Sequence, residues 1–424
     1  MISFETARAK VIEIVTARIR ASATDKTTET PSTETIDLAR DPSRGLRLIL
    51  SEEILADRNY PPFDRSIRDG FALRSADAAE PGARLRVIGE SRAGVAFDGT
   101  VGAGECVHIL TGAPVPRGAN AVVMHEYTRT EGDFVVVEPP VRAGQHFVLA
   151  GAEARVGEVV VPQGTRLSYA ELAVAAEVGR AQLEVNRRPR VAILSTGDEL
   201  ITLSEKPGPF QIRNSNNISL AAQVTLAGGE PVLAGNVPDN VATLRKRITQ
   251  GLDSDMLVLS GGVSAGKYDF VEQVLLDLGA EILFDAVAIR PGKPVVFAWC
   301  RGKPVFGLPG NPVSTMVTFE LFVAPAIEVL GGYAPRPLPF FKAKLAHPLD
   351  EKGTVAHFLP ARVSWPAEAN ADDPPAPTAE VLLWEGSGDI GAVVRGNCFL
   401  VVHASRLKLA AGDWVDVLVR RGTF

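Results

Sequence analysis

The pattern of apolar and polar positions changes character near residue 46. Residues 4–20 place apolar side chains at helical spacing, which predicts an amphipathic helix. Residues 22–44 are rich in Thr, Ser, Asp and Pro, which indicates a loop or mobile arm. From about 46 to 165, short β-type runs such as CVHIL, AVVMH and FVVVE recur between Gly and Pro turns. We therefore expect one or two small, mostly β domains in this part of the chain.

From residue 190 the pattern alternates between buried strands and helices. After a short helix at 168–180, the predicted strands are 191–196, 231–237, 256–260 and 281–289, and the predicted helices are 217–227, 241–252 and 270–278. This alternation predicts a mostly parallel sheet with right-handed crossovers. Asn311 is expected to cap a long buried helix that has Pro312 at its first position.

After about residue 335 the chain returns to β character. Residues 366–378 are too polar and Pro-rich to pack and predict a surface loop, while 399–404 and 414–420 predict strands of a small β domain. The predicted fold class is multidomain α/β, with a central three-layer α/β/α domain, mostly β N-terminal subdomains and a small C-terminal β domain. The expected division is 1–45 (helix and arm), 46–167 (β subdomains), 168–334 (α/β/α) and 335–424 (C-terminal β domain).

Composition narrows the class of protein. The chain has 424 residues, of which 46% are hydrophobic, so it can build cores and is not disordered throughout. A net charge of −6 argues against a nucleic-acid coat. The three cysteines lie far apart, and the six histidines never fall at a close metal-binding spacing, so a zinc enzyme is not expected. No signal-peptide core and no run of 18 apolar residues occurs, which favours a cytoplasmic protein without a membrane span.

The segment LSGGVSAGKYDF (259–270) resembles an anion-binding loop. It joins a buried strand to a helix, and consecutive backbone N–H groups in such a loop can converge on a phosphate. Gly261, Gly266 and Lys267 fit GxxxxGK, but Tyr268 stands where a P-loop needs Ser or Thr for Mg²⁺, which argues against a Walker-type nucleotidase. A strand–helix turn without a ligand is the alternative.

Carboxylates follow three of the predicted strands. Asp269 either forms a capping box with Glu272 or holds a cation beside the glycine loop. In STGDEL (195–200), Asp198 and Glu199 are expected at the carboxyl end of the sheet, where such sheets bind ligands, and helix capping by Asp198 is the alternative. In VPDN (237–240), Asn240 is expected to cap the next helix, which leaves Asp239 as the freer carboxylate.

Two further pairs of segments complete the candidate chemistry. AIRPGKP (288–294) and FGLPGNP (306–312) bring cations and rigid Pro-Gly turns near the acidic loops, although turn chemistry and solvated charges are the alternative. NYPPFDRSIRDGFAL (59–73) and HILTGAPVPRGANAVV (108–123) are polar loops when each is taken alone.

Taken together, these segments resemble the molybdopterin molybdenumtransferase family, the MoeA type that includes the E domain of gephyrin. PPFDRSIRDGFAL, LTGAPVPRGANAVV, STGDEL, RNSNN, LSGGVSAGKYDF, AIRPGKP and LPGNPVS occur in the family's order and spacing across about residues 45–420. The resemblance implies a cytosolic homodimer of elongated subunits with four subdomains each. It also implies a reaction that converts adenylylated molybdopterin and molybdate to molybdenum cofactor and AMP, with Mg²⁺. Other cofactor-biosynthesis proteins and apo-molybdoenzymes are its implied partners, and nucleic acid and membrane are not.

The resemblance also carries over individual residues. The expected catalytic residues are Asp69, Thr111, Glu199, Asp239 and Asp269, and the expected Mg²⁺ ligands are Glu199, Asp239 and Asp269. The expected ligand-binding residues belong to the glycine loops and the cationic turn: Ser195, Thr196, Gly197, Gly261, Gly262, Ser264, Arg290, Lys293, Pro309, Gly310 and Pro312. The cleft is expected between the α/β domain of one subunit and the Asp69/Thr111 region of the other.

The chain departs from the family pattern at several charged positions. The usual arginines and GED near 148–153 are replaced by VLAGAE, which ends in Glu153. Ala286 replaces a usual basic residue, Arg290 a usual lysine, and FDRSIRDG adds Arg65 and Arg68. Arg is not a neutral replacement for Lys, because it binds anions as a planar fork. An altered paralogue that binds a pterin or nucleotide, or acts as a scaffold, is therefore the alternative to an active enzyme.

Overall fold

The computed structural model describes residues 1–24, 33–238, 240–262, 270–334, 337–365 and 376–422. The chain divides into two compact units. The large unit comprises Met1–Glu34, Arg47–Ile49 and Val185–Phe424, and the small unit comprises Thr35–Leu46 and Leu50–Glu184. The division into four domains that the sequence suggests stays a prediction.

Eight α-helices occur in the described part of the chain. They are α1 (Phe4–Thr24), α2 (Tyr169–Glu177), α3 (Ser215–Leu226), α4 (Val241–Gly251), α5 (Val271–Asp277), α6 (Pro312–Thr318), α7 (Ala324–Leu330) and α8 (Ile390–Arg395). Their starts agree with the local sequence where capping residues are present. Ser168 and Glu171 form a capping box at α2, and Asn240 accepts a hydrogen bond from the Thr243 N–H at α4, as predicted.

The strands are two to nine residues long in both units. In order they are β1 (Thr33–Asp37), β2 (Ile54–Leu55), β3 (Arg65–Ser66), β4 (Gly70–Leu73), β5 (Ala83–Ser91), β6 (Glu105–Ile109), β7 (Ala121–Met124), β8 (Thr128–Glu131), β9 (Phe134–Val137), β10 (Phe147–Val148), β11 (Val159–Val161), β12 (Gln182–Asn186), β13 (Arg190–Thr196), β14 (Leu200–Ile201), β15 (Ile212–Arg213), β16 (Glu230–Val237), β17 (Met256–Ser260), β18 (Glu281–Ala286), β19 (Ile289–Arg290), β20 (Pro294–Cys300), β21 (Lys303–Leu308), β22 (Phe340–Leu345), β23 (Leu349–Asp350), β24 (Ala356–Ser364), β25 (Thr378–Val381), β26 (Cys398–Val402), β27 (Lys408–Leu409) and β28 (Trp414–Val419).

The centre of the large unit is a six-stranded sheet in the order β16-β13-β17-β21-β20-β18. Strands β16, β13, β17 and β21 run parallel to one another. Strand β20 is antiparallel to β21, and β18 is antiparallel to β20. Alternate side chains of β13 enter two separate cores, Val191 and Ile193 on one face and Ala192 and Leu194 on the other. Helices α3, α6 and α7 contribute to the first core and α4 and α5 to the second, so the sheet has helices on both faces. The predicted three-layer arrangement is confirmed.

The C-terminal part of the large unit forms a closed β structure. Strands β24, β25, β22, β28 and β26 pair in sequence, and β26 pairs back to β24, which closes a small barrel. Its interior is filled by aliphatic side chains such as Leu359, Leu400 and Val417. Closure removes the exposed edges that an open sheet of this size would leave.

A six-stranded sheet organises the small unit, in the order β7-β4-β6-β5-β9-β8. Strand β4 lies between β7 and β6 and is buried at all four positions. Phe71, Leu73 and Val123 lie in the main core of this unit. The sheet therefore fixes the position of the residues that immediately precede β4.

One helical segment, Pro312–Leu330, is long and apolar enough to cross a membrane, but 89% of its most apolar window is buried inside the protein. It consists of α6, a π-helical turn at Phe319–Val323, and α7. Burial on most faces is what the apolar sequence predicted, and it identifies this segment as a core helix.

Several local expectations are wrong. Part of the expected arm is strand β1, which pairs with β12, because Thr33, Thr35 and Ile36 are β-branched and Ile36 is buried. No helix begins at Asp198, since β14 follows it directly, so Asp198 is not a helix cap. Most of the predicted 366–378 loop and the Asp269–Glu272 capping box involve residues outside the described part of the chain.

Strands β20 and β21 are among those that the sequence analysis did not predict. Strands β20 and β21 form an antiparallel hairpin, and the turn between them has positive φ at Arg301 and Gly302. An apolar run on each side of an Arg-Gly pair is typical of a hairpin, so the sequence did contain a signal for these two strands. With three parallel and two antiparallel pairings, the sheet is mostly parallel, as the sequence predicts.

Candidate functional site

Three loops of the large unit meet at the carboxyl ends of parallel strands. They follow β13, β17 and β21 and contain Gly197, Gly261 and Gly310. The Gly261 N–H donates to the Leu308 carbonyl at 3.0 Å, and the Gly197 N–H donates to the Val237 carbonyl at 3.3 Å. The ends of neighbouring strands are thereby tied together at the edge where open α/β sheets bind ligands.

The backbone of the β17 loop packs directly on Thr196. A Cβ at Gly261, where φ is +91°, would lie 2.6 Å from the Thr196 carbonyl oxygen, and one at Gly262, where φ is +67°, would lie 2.8 Å from Thr196 Oγ1. Only glycine fits both the backbone conformation and the space. The loop that the sequence identified as a candidate anion cradle is therefore held by close contact with the STGDEL segment.

A row of buried polar side chains lies beneath these loops. Ser195 Oγ donates to Asn217 Oδ1 at 2.6 Å, and Asn216 Nδ2 donates to Ser260 Oγ at 2.7 Å and to the Gly310 carbonyl at 2.8 Å. The first turn of α3 thus links the ends of β13, β17 and β21.

Two oxygen atoms in this row are buried without a hydrogen-bond partner among the described residues. They are Thr196 Oγ1 and Asn216 Oδ1. The Gly310 carbonyl can only accept a hydrogen bond, so it fixes which end of the Asn216 amide faces it and leaves Oδ1 as the unpaired acceptor. Because an unpaired buried acceptor is costly, the site suits a ligand that presents N–H or O–H donors there.

Of the three acidic residues expected to bind Mg²⁺, Glu199 is the one that the structure describes. Its carboxylate lies over Gly197, where a Cβ would come within 2.5 Å of Oε2. Its backbone carbonyl accepts a hydrogen bond from the Ile212 N–H at 2.9 Å. Asp239, Asp269 and Ser264 lie outside the described residues, so their predicted roles stay predictions.

The cationic turn packs against α6, with Gly292 beside Thr318, the last residue of that helix. Gly292, at φ +105°, leaves no room for a side chain, since a Cβ would lie 2.5 Å from Thr318 Cγ2. Arg290 and Lys293 are both exposed on the two sides of this turn. The turn therefore presents two cations to solvent from a rigid base.

The Pro309–Pro312 turn is fixed by side chains that the sequence did not indicate. Thr315 Oγ1 donates to the Pro309 carbonyl at 2.6 Å. Asn311 Nδ2 donates to Ser387 Oγ at 2.7 Å, and its side chain makes no capping hydrogen bond, which corrects the predicted cap. Ser387 is 76 positions away in the chain, so only the fold reveals the contact.

Asp69 and Thr111 belong to the small unit and contact each other. Asp69 Oδ1 accepts from the Thr111 N–H at 2.6 Å and from Thr111 Oγ1 at 2.8 Å. These two bonds, the backbone one first, hold the pKa of Asp69 below its ordinary value, and nearby His125 and His108 lower it further. Two segments that are ordinary loops when taken alone thus form one exposed, ionised site.

Two departures from the family pattern also meet in this unit. Arg65 Nη2 forms an ion pair with Glu153 Oε1 at 2.7 Å. The added arginine is therefore neutralised by the acid of the altered 148–153 segment. Both side chains are more than a third exposed, so the pair contributes little to stability.

Within the described residues, no three His, Cys, Asp or Glu side chains form a group that could hold a metal ion.

The three cysteines are all free and buried, and burial raises the pKa of Cys106 and of Cys398 to about 12. Burial favours the protonated form of all three thiols, and the protonated thiol is a poor nucleophile.

Comparisons with known families match three consecutive parts of the chain. Residues 2–179 match the MoeA N-terminal region (domain I and II), residues 192–329 match a probable molybdopterin binding domain, and residues 342–419 match the MoeA C-terminal region (domain IV). The loops after β13, β17 and β21 all lie in the second match.

Curated relatives extend over most of the chain. A molybdopterin molybdenumtransferase of Nostoc sp. is 39% identical over 78% of this chain and 77% of its own length. Another of that name, from Staphylococcus aureus, is 32% identical over 89% of both chains.

The fold also has solved counterparts. A crystal structure of the molybdopterin biosynthesis MoeA protein from Pyrococcus horikoshii OT3 is 27% identical, covers 99% of this chain and 100% of its own, and gives a TM-score of 0.77. The molybdenum cofactor biosynthesis protein from Pyrococcus furiosus covers 99% of this chain at 19% identity with a TM-score of 0.57, which supports the fold alone.

Proposed function

The chain belongs to the molybdopterin molybdenumtransferase family, and from that premise we propose that it inserts molybdenum from molybdate into adenylylated molybdopterin and releases AMP. It is an enzyme of molybdenum cofactor biosynthesis. The proposed step places the metal on the pterin dithiolate and cleaves the phosphoanhydride.

The observation that carries this proposal is the surface formed by Thr196, Gly261, Gly262 and Asn216. The Gly261 N–H is already bonded to the Leu308 carbonyl, so the amide of Gly262, which no side chain of its own shields, is the described group that can face a phosphate oxygen. Asn216 Oδ1 and Thr196 Oγ1, which have no hydrogen-bond partner among the described residues, can serve as polar partners for N–H or O–H groups of an organic ligand. A ligand with both a pyrophosphate and a pterin ring has both kinds of group.

The carboxylates fit a hard divalent cation. Glu199 provides oxygen ligands at the same edge, and Asp239 and Asp269 are the further candidates in the adjacent loops. Mg²⁺ binds oxygen donors and keeps several waters, so one or two of these acids suffice. When bound, it would neutralise charge on the phosphoanhydride as that bond breaks.

Arg290 and Lys293 are the proposed electrostatic attractants for molybdate or pyrophosphate. Both are exposed on a turn that is fixed by Gly292 and Pro291. The planar guanidinium of Arg290 can bind two oxygens of one anion, whereas Lys293 acts as a point charge.

We further propose that the active form is a cytoplasmic homodimer, in which Asp69 and Thr111 of one subunit serve the α/β domain of the other. In this arrangement Asp69 acts as an ionised carboxylate, since the two bonds from Thr111 stabilise its charge. The cofactor product would pass to later biosynthetic proteins and apo-molybdoenzymes.

The deciding experiment incubates the protein with adenylylated molybdopterin, molybdate and Mg²⁺ and measures AMP and pterin-bound molybdenum. We expect both to form with wild type and to fall sharply with Glu199→Gln. Molybdate omission is the control for hydrolysis without insertion. No AMP above a blank without enzyme would remove the insertion claim, and tight pterin binding without turnover would establish the altered paralogue, which the neutral Ala286 beside the cationic turn favours.

A further inference from the structure

One face of the sheet in the small unit carries a row of polar and aromatic side chains. His108 on β6 lies opposite Phe71 of β4 and opposite Glu90 of β5. His125 directly follows β7, and its N–H donates to the Asp69 carbonyl at 3.2 Å, just before β4. Because paired residues on adjacent strands project from the same face, the strand register brings these side chains together.

The two imidazoles in this row contact each other edge to edge. His108 Nε2 and His125 Nε2 are 2.9 Å apart and share a hydrogen bond. The Phe71 ring packs on both, with centroid separations of 5.5 Å to His108 and 5.1 Å to His125. His108 Nδ1 lies 3.9 Å from Glu90 Oε2. Three neighbouring strands and one aromatic ring therefore fix the orientation of the pair.

We propose that His108 and His125 bind a divalent transition metal of the Zn²⁺ class through their two Nε2 atoms. Zn–N bonds of about 2.0–2.1 Å separate two ligand nitrogens by about 2.9–3.4 Å when the angle at the metal is about 90–110°. The observed separation of 2.9 Å falls at the lower end of that range.

Metal binding replaces the hydrogen bond between the two imidazole rings, and no bond to carbon forms or breaks. The ring that donates in the free protein moves its proton from Nε2 to its own Nδ1, and both Nε2 lone pairs then bind the ion. For His108, the Nδ1–H then faces Glu90, an arrangement in which a carboxylate orients a metal-bound imidazole. Water completes the coordination, because the described residues offer no third ligand from a His, Cys, Asp or Glu cluster.

The donor types and surroundings select for this class of ion. Imidazole nitrogens suit Zn²⁺, Ni²⁺ and Cu²⁺, whereas Mg²⁺ prefers oxygen. Cys106, on the same strand as His108, is fully buried in the core, so it is not accessible to an ion from solvent. The His108 side chain is 30% exposed, so an ion can reach the pair from solvent. The site is independent of the proposed insertion activity, although an ion here would add positive charge close to Asp69.

The test is calorimetric titration of the full chain with ZnCl₂ at pH 7.5 in excess Mg²⁺. We expect a one-to-one binding step that His108→Gln and His125→Gln each abolish and that His347→Gln, an exposed histidine of the barrel region, leaves unchanged. Glu90→Gln should weaken binding by about tenfold or more, because it removes the orienting carboxylate. Equal titrations for all variants, or no step in wild type, would overturn the proposal.

A second measurement uses wild type alone and so does not depend on variants that fold. Diethyl pyrocarbonate modifies exposed imidazole nitrogens, and mass spectrometry locates the modified residues. Zn²⁺ should protect His108 and His125 but not His347, and Mg²⁺ should protect none of the three. Modification of His108 and His125 that is unchanged by Zn²⁺ contradicts the proposal.

Discussion

Asp69 Oδ1 accepts two hydrogen bonds from Thr111, one from the backbone N–H at 2.6 Å and one from the side-chain hydroxyl at 2.8 Å. Both bonds favour the ionised carboxylate, so they lower the pKa of Asp69. The backbone bond is the larger cause, which means that a substitution of the side chain removes only part of the effect.

Thr111→Val should therefore raise the pKa of Asp69 towards its ordinary value without restoring it fully, and Thr111→Ser should leave it low. A lowered carboxyl pKa stabilises the fold above the unfolded-state pKa, and that contribution is lost as the pH falls through the folded-state pKa. The carboxyl ¹³C resonance of Asp69, followed against pH, measures the shift. An unchanged titration in Thr111→Val would mean that the hydroxyl bond is not made in solution.

Gly262→Ala should disrupt the glycine loop by steric contact in addition to backbone strain. A Cβ here would meet Thr196 Oγ1 at 2.8 Å, and φ is +67°. Gly279 is a matched control, because its φ is +82° and a Cβ there would meet nothing within 4 Å.

In each variant, alanine at a positive φ should destabilise the fold by roughly 1–3 kcal/mol, so both substitutions should lower the melting temperature. Only Gly262→Ala should in addition weaken binding of adenylylated molybdopterin, which equilibrium titration measures. Equal binding by Gly262→Ala and Gly279→Ala would exclude this loop from the ligand site.

The sequence predicted the parts of the fold that depend on local patterns. Strand β13 and helix α4 agree with prediction to within a residue because each carries an uninterrupted apolar run or stripe. Strand β1 was missed because Thr occurs in both turns and strands, and the burial of Ile36 decides between them.

The sequence predicted those site residues that lie at the ends of strands. It missed those whose role depends on contacts between distant parts of the chain. The Gly261–Gly262 loop and Thr196 were identified because both follow buried strands. The roles of Asn216 and Ser387 depend on which element packs beneath the loop, and RNSNN alone gives no such information. The His108–His125 contact depends on the register of three strands, which spacing in the sequence does not reveal.

Arg421→Met should destabilise the large unit strongly, by about 3–5 kcal/mol, because Arg421 neutralises two buried carboxylates. It bonds to Glu320 at 2.7 Å and to Glu328 at 2.8 Å, and both glutamates are buried. The exposed pair of Arg406 with Asp413 offers a control, since Arg406→Met should cost at most about 1 kcal/mol. Urea unfolding measures both.

This destabilisation should also depend on pH. Desolvation already raises the pKa of Glu320, and loss of Arg421 removes the charge that opposes that effect. A carboxyl group whose pKa is raised by folding takes up a proton more readily in the folded state, so the penalty shrinks as the pH falls. Arg421→Met should therefore lose less stability relative to wild type at pH 5 than at pH 8, and the reverse order would contradict this account of Glu320.

Ala286→Lys should increase activity at low molybdate if a missing cation limits capture of the anion. Ala286 is the last residue of β18 and lies opposite Pro294, next to Lys293 of the cationic turn. Ala411→Lys adds the same charge at an exposed turn of the C-terminal barrel region and is the control. The KM for molybdate should fall in Ala286→Lys alone. An equal fall in both variants would mean that the added net charge, and not its position, causes the effect.

Mixed dimers test whether Asp69 and Glu199 of different subunits act together. Asp69→Ala and Glu199→Ala should each abolish insertion, because each variant lacks one half of every shared site. When the two variants are unfolded and reassembled at equal amounts, half of the dimers combine one subunit of each kind, and one of their two sites is intact. Activity should then recover to about a quarter of the wild-type value. A mixture that stays inactive, although mass spectrometry shows mixed dimers, would mean that Asp69 and Glu199 serve the same subunit.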